Sequence, residues 1–338
     1  MVLHRDTGVI EHRHIADIVD YITANDLLVV NDTKVFPARL VGKWKDSDGA
    51  VEVLVVSAAP MDSDRPSMTT EGLFWNCMLG SGRKCREGQV AVFGPHDELE
   101  VRLVKPLTGI GMWRVEFVCE RPLMDLLDEF GHTPVPPYVK REGTADEEQA
   151  DRERYQTIYA REVGSVAAPT AGMHFTPEIF AALERKGVKK VAVTLHIGPG
   201  TFRPVKADEI EDHQMDFEAF TVPPATAKAI NDCKARGGRV FCVGSTTVRT
   251  LETVASRERE SGDEALIAPG SGASNIFIYP PYEFKVCDAM LTNFHLPQST
   301  LIMMVSALAG RERVLCAYAM AVRANYMFFS YGDCMLIV

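Results

Sequence analysis

Between residues 41 and 132 the chain carries five short β-rich runs, at 50–56, 73–78, 89–93, 99–104 and 112–118, broken by glycine, proline and charged turns. Short strands at such intervals predict a small barrel or sandwich. After Tyr155 the texture changes to alternating strands and helices. Thr176-Pro177 reads as the cap and first position of a helix to Lys186, closed by Gly187. Residues 191–195 and 240–243 read as buried strands, 225–235, 246–257, 300–309 and 313–326 as helices, and 284–291 is ambiguous. Ahead of the β-rich region, Ile15, Ile18, Val19 and Ile22 keep helical spacing, and 27–30 is an apolar run of strand length. Residues 134–154, first proline-rich and then charged, read as a surface connection. Alternating strands and helices imply a largely parallel sheet. The expected fold is therefore α/β: a mixed, largely parallel sheet with packed helices, plus an inserted small all-β, barrel-like domain. The expected division is 1–40 with 133–338 for the α/β domain and 41–132 for the insertion.

Charge and cysteine usage narrow the class. Thirty-six basic residues against 46 acidic give a net charge of −10. That argues against a nonspecific nucleic-acid coat but leaves room for a local basic patch that docks one RNA. The longest apolar stretch, 301–308, is too short to span a membrane, and the N-terminus lacks the apolar centre of a signal peptide. Eight cysteines are scattered without a C-x-x-C pair, and no H-x-x-x-H or H-E-x-x-H spacing occurs. We therefore expect no metal, no membrane partner, a reducing cytoplasm, and cysteines that mostly serve as buried small hydrophobes.

Five segments carry groups that packing alone does not require. Residues 195–202 leave a strand through His196, Gly198 and Gly200 to Thr201; tight turns alone are the plain alternative for the glycines. Residues 243–249 run from strand to helix start with Ser245, Thr246, Thr247 and Arg249, an arrangement suited to an anion, or to a simple Ser/Thr cap. The segment 168–176 holds Thr170, Gly172 and His174 ahead of the capped helix. Asn293 and His295 sit between an apolar run and a helix, with Asn293 a candidate to orient a histidine. Either histidine has a purely structural alternative. The tail 328–333 joins aromatic rings to Asp333, which suits a cationic group or simply packs into the core. Ligands of open α/β sheets bind beyond the carboxyl ends of the strands. Residue chemistry thus reaches an α/β enzyme with an inserted β domain and an anion-binding cleft.

Taken in order, these segments resemble one family. Asn31-Asp32-Thr33-Lys34-Val35-Phe36-Pro37-Ala38-Arg39-Leu40 is similar to its N-D-T-R-V-x-P-A-R-L signature. Residues 155–161 and 167–176 are similar to its Y-Q-T-V-Y-A…A-A-P-T-A-G-L-H-F-T block, and 194–202, 243–252, 291–300 and 328–337 match further blocks in sequence. The family is the S-adenosylmethionine:tRNA ribosyltransferase-isomerases of queuosine biosynthesis. The resemblance implies transfer and isomerisation of the ribosyl part of S-adenosylmethionine onto 7-aminomethyl-7-deazaguanine at the tRNA wobble position. Epoxyqueuosine forms, and adenine and methionine leave. S-adenosylmethionine would be a consumed substrate and no cofactor is implied. The family also carries an Arg- and Asp-containing segment ahead of the first helix, which this sequence starts without. Asp216 stands where the family usually has a second histidine, Pro280-Pro281-Tyr282 replaces P-G-Y, and Met327 stands where Arg is common.

Such chemistry asks for a base beside the sulfonium, an acid for departing adenine, and a holder for the cation. The expected catalytic residues are His295, His174 and Asp333. Substrate contacts are expected from Arg39, Thr170, Gly172, His196, Gly200, Thr201, Ser245, Thr246, Arg249, Asn293 and Tyr331. Lys34, Lys43, Arg83, Lys84 and Arg86 are the expected tRNA contacts. The expected partners are tRNA carrying the 7-deazaguanine precursor and S-adenosylmethionine, with a monomer favoured. Two alternatives differ in class: a small-molecule sugar or nucleotide enzyme of the same fold, and an inactive RNA- or protein-binding relative.

Overall fold

The computed structural model describes the 338-residue chain apart from residues 48, 60–65, 67–72, 83, 137, 140, 142–143, 203–204, 206–208 and 262–265, and the side chains of 201–202 and 259–261. At its centre lies Leu27–Asn31, buried along its whole length. A strand buried at every position, its first four residues apolar, must be covered on both faces, and the two faces are distinct here. Leu27 and Val29 join one core with Val193, Cys242, Val248 and Leu251. Leu28 and Val30 join another with Phe175, Ile179, Phe241 and Val243. The helices Pro224–Ala235, Ser245–Ser261, Thr300–Ala309 and Arg311–Arg323 supply residues to the first core, and Pro177–Arg185 to the second.

Nine strands form the sheet, in the order Gly270–Ser274, Glu218–Val222, Lys189–Leu195, Leu27–Asn31, Val240–Val243, Ala289–Asn293, Cys334–Ile337, Val2–Leu3, Ile10–Glu11. The four central strands are mutually parallel, and antiparallel strands extend them on both sides. The sheet is mixed, with a parallel centre. Of the ambiguous stretch 284–291, residues 289–291 enter the strand Ala289–Asn293 and 284–288 are neither helix nor strand.

The β-rich region closes on itself. Six antiparallel strands form a barrel in the order Met112–Val118, Phe74–Ser81, Ala50–Ala58, Arg39–Trp44, Val90–Phe93, Leu99–Pro106. Val51, Val53 and Val55, like Leu99, Val101 and Leu103, alternate into its core, as period-two side chains must. A short helix, Leu123–Phe130, adds Leu123, Leu126 and Leu127 to the same core. Gly42 is required there, because a Cβ would lie 2.3 Å from the Val92 carbonyl. Arg39 and His132 exchange two backbone hydrogen bonds, so the chain leaves for the barrel and returns at one point.

Four expectations need correction. The first barrel strand begins at Arg39 and supplies a sixth strand beyond the five runs. The periodic segment from Ile15 forms only a 3-10 turn, Ile15–Asp17, and a single turn of helix, Ile18–Tyr21, before Ile22 becomes extended yet fully buried. The charged connection contains a helix, Ala145–Arg154, started by a reciprocal cap between Thr144 and Glu147. The helix expected at 313–326 is Arg311–Arg323.

Candidate active site

The carboxyl ends of the central strands open onto a cavity of about 380 Å³. Val240–Val243 turns through Gly244, at φ +82°, into the helix Ser245–Ser261, which brings Ser245 and Thr246 to the wall. Ala289–Asn293 delivers Asn293, Phe294 and His295. Ile197 follows Lys189–Leu195, and Thr170 begins the turn Thr170–His174. One buried amide joins three of these strand ends. Asn31 Nδ2 donates to the Leu195 carbonyl and to Thr246 Oγ1, both at 3.0 Å. Asn31 Oδ1 accepts from the amides of Leu195 and Thr33.

Asn293 is oriented by its partners. Its Nδ2 donates to the carbonyls of Phe329, at 2.9 Å, and Ser330, at 3.1 Å. Oδ1 is left to accept from His174 Nε2 at 3.2 Å. The network therefore assigns the His174 proton to Nε2 and the lone pair to Nδ1. Burial lowers the pKa of His174, so the ring is neutral at pH 7. The His295 ring is also buried, which lowers its pKa to about 4. Its Nε2 lies 2.7 Å from Thr292 Oγ1, and its backbone amide donates to the Tyr318 hydroxyl. Both rings are neutral at neutral pH, the form a base must start from.

Of the five segments singled out, three reach the cavity at expected residues (Thr170, Ser245 with Thr246, and Asn293 with His295), and 195–202 reaches it only through Ile197. The fifth contributes Phe329 and Ser330, upstream of those expected. Tyr331 is packed near Tyr155, and burial first of all raises its pKa to about 12. Asp333 is turned away; its Oδ2 accepts from the Met327 amide at 2.7 Å and so closes the loop 327–333. His174 lies behind Asn293 rather than on the wall. His196 faces the junction with the barrel, where its Nδ1 is 2.7 Å from Thr33 Oγ1 and a Cβ on Gly164 would strike its ring. Gly172 is a packing glycine: a Cβ there would sit 2.0 Å from the Tyr159 hydroxyl.

Arg249 and Gly200 border a second, smaller cavity of about 70 Å³, which shares Leu301 with the first. Arg249 Nη1 pairs with Glu218, whose other oxygen accepts from the Gly198 amide. Both side chains are almost wholly buried. Arg249 Nε and Nη2 meet no acceptor among the described residues. Thr201 has its side chain outside the described residues, and Arg83 lies outside them altogether.

Arg39 pairs with Glu52 at 2.8 Å and lines a separate groove of about 1050 Å³ beside the barrel. Lys34, Lys84 and Arg86 are exposed, whereas Lys43 stands 3.9 Å from Asp97. Sequence reasoning missed three residues at the site. Tyr138 lines the cavity from the proline-rich connection, Thr292 holds His295, and Asn31 fastens the strand ends.

A family profile described as "Queuosine biosynthesis protein" matches residues 1–337. The S-adenosylmethionine:tRNA ribosyltransferase-isomerase of Moorella thermoacetica is 47% identical, the alignment covering 100% of this chain and 92% of that one. The protein of the same name from Natranaerobius thermophilus is 44% identical, covering 100% and 91%. The crystal structure of S-adenosylmethionine tRNA ribosyltransferase from Thermotoga maritima aligns with a TM-score of 0.50 at 32% identity, over 100% of this chain and 91% of that one. With its fold, its strand-end cavity and these full-length similarities, the chain belongs to the queuosine biosynthesis protein family.

Proposed function

We propose that this chain transfers and isomerises the ribosyl part of S-adenosylmethionine onto 7-aminomethyl-7-deazaguanine at the tRNA wobble position, yielding epoxyqueuosine, adenine and methionine. The observation that carries the reading is the convergence of Thr170, Ser245, Thr246, Asn293 and His295 on one cavity at the strand ends. S-adenosylmethionine is consumed, and the reaction takes no further cofactor.

His295 is the base. With Nε2–H donated to Thr292, its Nδ1 lone pair takes the proton acidified by the adjacent sulfonium, and the resulting imidazolium returns it to departing adenine. His174 acts through Asn293 as a positioning residue, because its Nε2–H fixes the amide that faces the cavity. The methionyl carboxylate reaches past Leu301 to Arg249 Nε and Nη2, which meet no acceptor among the described residues, and the buried guanidinium gains a charge-assisted partner. Ser245 and Thr246, at the start of a 17-residue helix, take ribose hydroxyls or phosphate oxygen.

Residues 39–132 act as an inserted domain, and 1–38 with 133–338 as the catalytic one. Lys34, Lys84 and Arg86 contact tRNA phosphates. Among the described residues no helix is long and apolar enough to cross a membrane; we place the enzyme in the cytoplasm, as a monomer. Incubation with S-adenosylmethionine and tRNA bearing the aminomethyl-deazaguanine precursor, followed by nucleoside mass analysis, tests the reading. Epoxyqueuosine and an equivalent of adenine are expected. Unchanged precursor overturns it.

A further inference from the structure

Two aromatic rings stand at the rim of the cavity. Tyr138 is 45% exposed and Phe329 38%, far more than side chains held only for packing. Their centroids are 5.1 Å apart and their planes are tilted by 32°. Both line the cavity. The arrangement is held against a backbone preference. Phe329 has φ +75°, a left-handed conformation that is a genuine outlier for a bulky side chain. Four hydrogen bonds hold it there. Its amide donates to the Phe294 carbonyl, Asn293 Nδ2 donates to the carbonyls of 329 and 330, and the Ser330 amide donates to the Tyr138 hydroxyl at 3.1 Å. Strain maintained by the residue at the centre of the site points to a use for the ring it presents.

We propose that Tyr138 and Phe329 form a stacking platform for the target base of the RNA. This rests on the functional reading above. The rings are too close for a base to enter between them, so a planar heterocycle stacks on their free face. The favoured occupant is the RNA-borne base and not the adenine of S-adenosylmethionine, for reasons of position. The pair sits at the mouth, and the adjoining residue, Val139, already lines the groove of about 1050 Å³ beside the barrel, whose Arg39, Arg141 and Arg152 are paired with Glu52, Asp151 and Glu148. A base that remains attached to a polymer enters from that side. Single-stranded nucleic acids are commonly held by stacking of their bases on exposed aromatic faces.

The test uses an anticodon stem-loop with 2-aminopurine at the target position, whose fluorescence is quenched on stacking. The wild-type chain should bind the RNA and quench the probe. Tyr138→Ala should lower affinity about tenfold to a hundredfold and abolish quenching. Tyr138→Phe, which keeps the ring and loses only the bond to Ser330, should retain both. Phe329→Gly removes the other ring and is at home at a left-handed φ, so the loop is preserved while quenching falls. S-adenosylmethionine affinity should be unchanged in all three. Loss of S-adenosylmethionine affinity with RNA binding intact assigns the platform to adenine and overturns the proposal. Equal RNA binding and quenching by wild type and Tyr138→Ala overturns it also, and leaves the functional reading standing. Failure of the wild-type chain to bind the stem-loop sinks both.

Discussion

At the scale of single residues, the histidines divide by what surrounds them. His295 and His196 both have pKa values lowered to about 4 by burial, against an ordinary 6.5. Between those values the unfolded chain binds more protons than the native one, so stability rises with pH across the window. It is complete above about pH 6.5 and is lost as pH falls toward 4. Urea unfolding at pH 5 and pH 7 should therefore show a loss at the lower pH that His196→Asn and His295→Gln each reduce; identical losses in the variants would refute this. Gly172 illustrates a different constraint. Gly172→Ala pushes a methyl onto the Tyr159 hydroxyl and should cost roughly 1–3 kcal/mol, the usual penalty of overpacking. That hydroxyl is buried without a partner among the described residues. Tyr159→Phe should accordingly be neutral or slightly stabilising, and should recover part of the Gly172→Ala loss in denaturant melts. Sequence reasoning marked Gly172 as a substrate contact and His174 as catalytic; the structure sets Gly172 against the Tyr159 hydroxyl and His174 behind Asn293. A glycine needed for clearance and one needed for a ligand look alike in sequence, and so do a histidine on a wall and one behind it. Asn31 and Tyr138 were missed because neither sits in a local pattern that signals contact with residues over a hundred positions away.

Among the elements, legibility followed hydrophobic period. The alternating apolar residues of the barrel and the apolar run at 27–30 were readable because the burial they enforce is written every second residue or continuously. Ala145–Arg154 was not, since its ten residues have no apolar face. Its signals were the Thr144 and Glu147 cap and the Glu148–Arg152 pair one turn apart. A helix without a buried stripe leans on its cap, so Thr144→Ala should cost about 1 kcal/mol and raise amide exchange across 145–154 first. Unchanged exchange there would show that Arg141–Asp151 and the other side-chain bonds suffice. Arg39–Trp44 carried the opposite ambiguity. Leu40 and Trp44 point inward while Val41 and Lys43 are exposed, yet glycine at 42 interrupts the alternation, and the strand begins inside a stretch that otherwise looks like a turn.

For the whole molecule, a net charge of −10 and RNA binding are compatible if the contacts are local. Many barrel cations are already paired, as in Lys45–Glu100 and Arg102–Glu116. Exposed Lys84 and Arg86 lie between strands of the barrel. Lys84→Glu with Arg86→Glu should weaken stem-loop binding and reduce its salt slope by roughly one unit for each phosphate no longer neutralised, without altering S-adenosylmethionine binding. An unchanged slope would make them ordinary solvated charges. Everything else depends on the strand-end cavity performing the chemistry with His295 as its base. The decisive measurement is adenine release from S-adenosylmethionine in the presence of precursor tRNA, for His295→Gln beside the wild type. Release should fall by about a hundredfold or more while melting temperature and tRNA affinity stay near wild type, because a general base acts in the transition state more than in binding. Release at the wild-type rate by that variant would take the role of base away from His295.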